Sequence, residues 1–378
     1  MNEAAGFYLL SFLYAKKREP EERNMAESRL ITISQAEISP NPVQVNKSYV
    51  IRVTIANRAY GLDYPYNYPY DYTPKRKGDQ SMSVKTVQAV VNGQQITLTY
   101  NSTSGKWEAT TTAPAKSSYT LTGHYYPVTV KATDEAGNTT TKDATDSTLG
   151  SSLQLKVKEK VAPVITIASP TAGQYLANST PAITWKITDD DSGVNPSTIA
   201  LKVDNVAVDA SKITKTAVTG GYTCSYTPAT ALTDGEHTII ATASDYDGNA
   251  ATQKSVTFTV DTIPPTLSIS APVAGLVTNK STVTVTGTTD DATSKPVTVT
   301  VNGTTVTVAS DGSFSKDVTL TEGSNTITII AKDKAGKTTT VTRTVTLDTK
   351  APVIKSVTMT PNPVDAGKTY IIAVEVSD

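Results

Sequence analysis

Aspartates gathered at predicted turns are the residues of this chain best suited to chemistry. Calcium takes about six to eight oxygen ligands from carboxylates, backbone carbonyls and water, so aspartates on converging loops could bind it. No cofactor is required by the sequence, and calcium is the one cofactor that it admits. We predict these ligands: Asp189, Asp190, Asp191, Asp245, Asp247, Asp261 and Asp348. The alternative, in which each aspartate only accepts hydrogen bonds within its own turn, stays open.

A tyrosine-rich stretch carries the second candidate site. Tyrosine occupies every second position at Tyr64, Tyr66, Tyr68, Tyr70 and Tyr72. In an extended or polyproline conformation, part of such a row shares one face. Tyrosine also gives a large contact area at a low entropic cost. The stretch therefore predicts a ligand-binding loop, and the alternative is a solvated loop or one that packs on another subunit.

The sequence contains no recognised catalytic motif. It has two histidines, His124 and His237, and a single cysteine, Cys224. Neither a His-Glu-x-x-His zinc motif nor a Gly-x-Ser-x-Gly nucleophile motif is present. The run 335–338 resembles the end of a phosphate-binding loop, but Ala331 stands where that loop requires its first glycine. We therefore predict a non-enzymatic protein. Alternating neighbours place Cys224 in a strand as a buried, inert thiol.

Charge and hydropathy exclude some partners. The net charge is −1, which gives no reason to expect a nucleic-acid partner. The apolar run 4–15 is shorter than the roughly 20 residues that span a bilayer. Basic residues follow that run instead of preceding it, so no signal peptide is seen and no membrane span is expected. We predict a short helical segment over 1–27, and a true start at Met25 is the alternative.

A repeated hairpin positions many of these residues. The pattern Ala-x-Asp-x-x-Gly-Asn/Lys recurs at Asp134, Asp245 and Asp333, with alternating apolar residues before it. The aspartate accepts backbone amides and the glycine supplies a positive φ, so each copy predicts a strand, a tight turn and a second strand. A recurrence of about 100 residues in a chain rich in Thr and Val indicates a string of β-sandwich domains.

Proline-bearing junctions separate the predicted domains, notably 261–265 and 348–352. Proline has no backbone N–H and stiffens the chain, so we predict an all-β, elongated rod of tandem sandwiches. The predicted division is an N-terminal segment 1–27, a domain 28–159 with a tyrosine-rich insert 60–80, domains 160–261 and 262–349, and a partial repeat 350–378.

The partial repeat copies the opening of the first domain. The run that starts at Pro361 matches the run that starts at Pro40 at a constant offset, without a gap. A lone hairpin is marginally stable in water, and its apolar face needs a cover. Three outcomes stay open: packing on the third domain, strand addition to another subunit, or a fragment of a longer protein.

The repeated hairpin, the Asp-Thr-x-x-Pro junctions and the stretch 191–199 resemble bacterial immunoglobulin-like domains. The resemblance covers roughly residues 28 to 350. It implies immunoglobulin-like β-sandwiches of the kind found in phage or prophage tail proteins and bacterial surface adhesins, where related modules bind calcium at domain junctions.

The expected function is structural and adhesive: a phage or prophage tail component that acts as spacer and attachment module. The alternatives are a fragment of a cell-surface adhesin or an accessory carbohydrate-binding region of a larger enzyme. Expected partners are other virion or surface-assembly subunits and cell-surface glycans or proteins, and the expected location is the virion or the bacterial surface.

Overall fold

The computed structural model describes residues 30–58 and 83–378, which form β-strands joined by turns and three short 3-10 turns. The chain divides into two compact units, Met1–Lys160 and Val161–Asp378. The predicted helical segment 1–27 and the tyrosine row Tyr64–Tyr72 lie outside the described residues. No helix among the described residues is long and apolar enough to cross a membrane.

The first unit holds one sandwich, called here the first sandwich. Its strands are β1 (Leu30–Ser39), β2 (Val43–Gln44), β3 (Ser48–Arg58), β4 (Val84–Val91), β5 (Gln94–Asn101), β6 (Lys106–Thr112), β7 (Tyr126–Asp134), β8 (Thr139–Lys142), β9 (Gln154–Leu155) and β10 (Val157–Lys158). They follow the order β1-β3-β6-β5-β4-β7-β8, with β9 on β7 and β10 parallel to β2. The 3-10 turns are Thr122–His124 and Gly150–Leu153.

Alternation in β3 shows why this sequence forms a half-buried strand. Tyr49, Ile51 and Val53 are buried, whereas the residues between them are partly exposed, as expected when successive side chains point to opposite faces. Burial raises the pKa of Tyr49 to about 12 because the phenolate would lose its hydration. The buried face of β3 packs into a core that it shares with β4, β5 and β7.

The second unit begins with the second sandwich. Its strands are β11 (Val164–Ser169), β12 (Tyr175–Leu176), β13 (Ile183–Thr188), β14 (Ala200–Val203), β15 (Val206–Ala207), β16 (Thr214–Val218), β17 (Gly221–Tyr226), β18 (Gly235–Thr242) and β19 (Lys254–Val260), with a 3-10 turn at Ala210–Lys212. One sheet has the order β11-β13-β17-β16 and the other β12-β19-β18-β14-β15. Trp185 and Cys224 are both buried, as their alternating neighbours predict.

The third sandwich repeats this plan. Its strands are β20 (Thr266–Ala271), β21 (Leu276–Thr278), β22 (Thr282–Asp290), β23 (Thr298–Val301), β24 (Thr304–Val306), β25 (Ser313–Thr319), β26 (Gly323–Lys332) and β27 (Thr338–Leu347). The sheets have the orders β20-β22-β25 and β21-β27-β26-β23-β24. Valine and isoleucine from both sheets fill the core.

Asn-Gly or Asp-Asn pairs form tight turns in all three sandwiches. The central residues 92–93, 204–205 and 302–303 all have positive φ. Paired positive φ values define the type I′ turn, whose twist matches that of the flanking strands. Glycine and asparagine tolerate this conformation best, which explains why the sequence signal is reliable here.

A two-stranded hairpin, called here the terminal hairpin, follows the third sandwich. It consists of β28 (Val353–Thr360) and β29 (Ile371–Ser377), and within the described part of the chain these two strands pair only with each other. Every residue from 351 to 376 is exposed. Packing of the hairpin on the third domain, one of the three outcomes left open by the sequence, is therefore not what the structure shows.

Candidate metal centre

Three aspartates of the second unit bring their carboxylates together. Asp261 follows β19, Asp291 follows β22 and Asp333 follows β26. Each offers a carboxylate oxygen, and these oxygens all lie within 4.8 Å of one another. The exposed fractions of the three residues are only 0%, 6% and 5% in that order. The cluster therefore joins the last residue of the second sandwich to two loops of the third.

Both carboxylate oxygens of Asp261 accept a hydrogen bond, and the next residue is held by Asp234. The Ile263 amide donates to Asp261 Oδ1 at 3.2 Å. The next residue, Thr262, donates its amide and hydroxyl to the Asp234 carboxylate at 2.8 and 3.0 Å. The Ser294 hydroxyl, which is buried, donates to Asp261 Oδ2. These bonds fix the carboxylate direction before any ligand is considered.

A tight loop after β22 presents Asp291. Its Oδ1 accepts the amides of Thr293 and Ser294 at 2.8 and 2.7 Å, the pattern of an Asx turn. Because the hydroxyl of Ser294 reaches Asp261, this one serine links the two carboxylates. Asp291 therefore has two roles: it stabilises its own loop, and it contributes a carboxylate oxygen to the cluster.

Asp333 has a buried oxygen without a partner. Its Oδ1 accepts the Lys337 amide at 2.8 Å, but its Oδ2 has no hydrogen bond among the described residues. In the other two copies of the repeated hairpin, an asparagine side chain fills this role. Asn138 Nδ2 donates to Asp134 Oδ2 at 2.9 Å, and Asn249 Nδ2 donates to the equivalent oxygen of Asp245 at 2.6 Å.

No ion pair found among the described residues includes a member of the cluster. In the second unit, His237–Asp204 and Lys295–Asp290 form ion pairs outside the cluster. Burying ionised carboxylates side by side is costly unless a cation or hydrogen-bond donors compensate them. A calcium ion prefers hard oxygen ligands, so three carboxylates with one bare oxygen fit it. Asp261, Asp291 and Asp333 would hold that ion.

Only one predicted calcium ligand, Asp261, belongs to this cluster. Asp291 and Asp333 are not among the calcium ligands predicted from the sequence. Two signals point to them: Asp291 follows the third strand of its sandwich as Asp189 does, and the third hairpin copy replaces the capping asparagine with Lys337. Neither signal shows that β19 ends beside these two loops, because that depends on how the sandwiches pack.

The remaining predicted ligands have other surroundings. Asp189 and Asp245 are buried, and each offers a carboxylate oxygen within 4.8 Å of the other. Asp189 Oδ1 accepts the amides of Asp191 and Gly193 at 3.1 and 2.7 Å. Asp348 is partly exposed and accepts the amide of its neighbour Lys350 at 3.1 Å. Asp190 is exposed, and Asp247 is partly exposed.

Comparison with known families assigns two of the sandwiches. Residues 170–262 match the family described as Bacterial Ig-like domain. Residues 265–349 match the family described as Glucodextranase, domain B. No curated protein matches the chain.

Solved structures with similar folds are tandem arrays. The fibronectin(III)-like modules of CbhA from Clostridium thermocellum share 22% identity over 49% of this chain and 94% of theirs, with a TM-score of 0.33. A variant of titin domains I67–I69 shares 12% identity over 84% and 98%, with a TM-score of 0.39. A tetra-tandem repeat from the extending region of a large adhesion protein shares 18% over 90% and 87%, with a TM-score of 0.32. Similarity at this level carries no functional argument.

The protein is an all-β array of immunoglobulin-like sandwiches. Its second sandwich matches the bacterial Ig-like domains, so the resemblance seen in the repeated hairpin and the junctions is confirmed.

Proposed function

We propose that this protein is a non-enzymatic spacer and attachment module whose second and third sandwiches are locked together by calcium. The observation that carries the proposal is the buried, partnerless Oδ2 of Asp333 beside the carboxylates of Asp261 and Asp291. A spacer must resist bending between its modules. A cation that draws these three carboxylates together would hold the end of one sandwich against the loops of the next.

A second contact crosses the same junction. Lys334, the residue after Asp333, places its Nζ 5.0 Å from the ring centroid of Tyr175 in β12. Its amide also donates to the Ser294 carbonyl at 3.4 Å. A lysine over an aromatic ring contributes about 0.5–1 kcal/mol at an exposed site. The Lys334–Tyr175 contact therefore helps to orient the turn, but it does not neutralise the three carboxylates.

Calcium binding would stabilise the array by mass action. A ligand that binds only the folded state at 100 times its dissociation constant adds about 2.7 kcal/mol to the free energy of unfolding. The test is a calorimetric titration of the full chain with calcium, followed by thermal unfolding in calcium and in EDTA. An unchanged unfolding profile in the two buffers would contradict the proposal.

The assembly that such a spacer serves is, in our proposal, a phage or prophage tail, and a bacterial surface is the alternative. Repeated rigid modules suit either role. Mass spectrometry of purified virions and of shaved cell-surface peptides from the source organism would separate the two. Recovery of the chain from neither fraction would contradict both.

A second candidate function is an accessory carbohydrate-associated region of a larger enzyme. The match of residues 265–349 to Glucodextranase, domain B supports it. This role predicts retention of the full chain on insoluble polysaccharides or retarded migration in gels that contain soluble glucans. Equal migration with and without glucans would count against this candidate while leaving the calcium proposal intact.

A further inference from the structure

The third copy of the repeated hairpin differs from the other two in its charge. Residues 132–138 and 243–249 each hold two acidic residues and neither lysine nor arginine, whereas residues 331–337 hold one aspartate and three lysines. The net charges of the three turns are therefore −2, −2 and +2. The segment 332–337, with lysines at 332, 334 and 337, is called here the lysine turn.

The fold gathers four lysines at this turn. Lys332 pairs across the ladder with the residue that follows Lys337. Lys334 donates its amide to the Ser294 carbonyl at 3.4 Å, which brings Lys295 beside the turn. Lys332 and Lys334 are exposed, and the side chain of Lys295 is 61% exposed. The lysine turn and Lys295 therefore form one basic surface.

The charges of this surface are available to a ligand. Among the described residues, no ion pair includes Lys332, Lys334 or Lys337. Lys295 pairs with Asp290 at 2.8 Å, but both side chains are more than half exposed, and such pairs contribute little to stability. An anionic ligand can therefore replace Asp290 as the partner of Lys295 at a small cost.

The buried carboxylates of the candidate metal centre do not hold these ammonium groups in place. The Lys334 ammonium lies over the ring of Tyr175, 5.0 Å from its centroid. Lys337 reaches Asp333 through its backbone amide, which leaves its side chain out of that bond. The three lysines of the turn are therefore not direct counter-ions of the cluster.

The residue types of the surface indicate phosphate groups as its ligand. Arginine is the usual choice where carboxylates are bound through two parallel hydrogen bonds, whereas lysine binds phosphate as a point charge. The surface has lysine alone. Single-stranded nucleic acids are also bound by exposed aromatic rings that stack on the bases, and the Tyr175 ring beside the turn is already covered by Lys334. A chain of phosphates without bases therefore fits best.

We propose that the lysine turn and Lys295 bind a polymer of phosphodiesters without bases, such as a polyol phosphate. Each ammonium group neutralises a phosphate of the polymer and releases a condensed counter-ion, so the affinity falls steeply as the salt concentration rises. The surface gives the third sandwich a ligand class of its own.

The effect of calcium on this surface rests on the proposed function. The carboxylates of Asp261, Asp291 and Asp333 lie next to the lysine turn and weaken its attraction for phosphate. A bound calcium ion offsets their negative charge. We expect the dissociation constant of the polymer to be at least threefold lower in calcium than in EDTA, and linkage requires the polymer to lower the calcium dissociation constant by the same factor.

The first test measures binding of fluorescently labelled poly(glycerol phosphate) to the full chain by anisotropy. Lys332→Gln combined with Lys334→Gln should raise the dissociation constant at least tenfold and reduce its salt slope by about two, roughly one for each lysine removed. The matched control is Lys280→Gln combined with Lys350→Gln, which removes the same charge at the far end of β27 and should change the dissociation constant less than twofold.

A second variant separates charge from folding. Lys332→Arg combined with Lys334→Arg keeps both charges, so its dissociation constant should stay within threefold of the parent value. Absence of binding by the parent chain, an unchanged affinity in the glutamine variant, or an equal loss in the control variant would overturn the proposal. Tighter binding of single-stranded DNA with the same number of phosphates, or of phosphatidylglycerol vesicles, would overturn the choice of a base-free polymer.

The last test separates this proposal from the proposed function. Calorimetry with calcium alone reports on the metal site, and Asp333→Asn controls for calcium that the polymer itself binds. This variant should keep lysine-dependent binding in EDTA and lose the gain in calcium. If calcium does not bind the full chain, the proposed function is wrong, and the lysine variants in EDTA still decide the phosphate surface. If calcium binds but the polymer affinity is equal in both buffers, the coupling is wrong.

Discussion

Lys337 donates its backbone amide to Asp333 Oδ1 at 2.8 Å but offers no side-chain amide to Oδ2. In the first and second sandwiches, Asn138 and Asn249 fill that position and bind both oxygens of their aspartates. One change of residue type within a repeated turn thus converts a closed hydrogen-bond cap into an open carboxylate. The open oxygen lies in the cluster that we propose as the calcium site.

Restoring the asparagine should therefore weaken calcium binding. In Lys337→Asn the new side chain donates to Asp333 Oδ2 and competes with the cation. We expect the calcium dissociation constant to rise by about tenfold, equivalent to ~1.4 kcal/mol, in a calorimetric titration of the full chain. Thermal stability in EDTA should rise or stay level, since a buried oxygen gains a partner.

The control for this prediction is Asp134→Asn in the first sandwich. It disturbs an equivalent turn that is closed by Asn138, so it should lower stability without changing calcium affinity. If Lys337→Asn binds calcium as tightly as the parent chain, Asp333 Oδ2 is not a ligand.

Short-range sequence patterns predict much of the fold, but they do not predict which residues converge at the candidate metal site. Turns such as Asn92-Gly93 depend on backbone preferences of two adjacent residues, and alternation in a strand places Trp185 in the core. Convergence of Asp261, Asp291 and Asp333 depends instead on packing between sandwiches. The sequence showed aspartates at turns, but it could not show which turns meet.

Trp185 is a core residue with an unmet polar group. Its side chain is 1% exposed, and its Nε1 has no hydrogen-bond partner among the described residues. Replacing it with Phe removes the unsatisfied N–H, which costs about 1–3 kcal/mol when buried, and leaves a small cavity. We expect Trp185→Phe to change the free energy of unfolding by less than about 1 kcal/mol.

The comparison variant is Trp185→Ala, for which we expect a loss of about 3–5 kcal/mol. Chemical denaturation of the second unit, followed by circular dichroism, measures both. A loss for Trp185→Phe as large as that for Trp185→Ala would show that Nε1 has a partner in solution.

Cys224 should report opening of the second sandwich. The thiol is buried, and burial raises its pKa to about 11, whereas the nearby Lys215 lowers it only in part. Because the thiolate is the reactive form, a thiol reagent at pH 8 should react with the native chain at least a hundredfold more slowly than with the chain in denaturant. The reaction is monitored by absorbance, and fast labelling of Cys224 in the native protein would contradict its burial.

His237 should make the stability of the second sandwich depend on pH. Both ring nitrogens face acceptors: Nδ1 lies 2.7 Å from Asp204 Oδ2 and Nε2 lies 2.7 Å from the Thr233 carbonyl. Burial alone lowers the pKa of His237, but the hydrogen bonds to Thr233 and Asp204 outweigh it, so the pKa is raised from 6.5. The folded state therefore favours the imidazolium.

The sign of the effect follows from this direction. A raised pKa in the folded state contributes stability that is fully present below the pKa of the unfolded chain, about 6.5, and is lost as pH rises through the folded value. The melting temperature of the second sandwich should fall over that window. His237→Gln should remove this dependence, whereas His124→Gln, which changes the only other histidine, should keep it. An equal pH profile for His237→Gln and the parent chain would show that folding does not raise the pKa of His237.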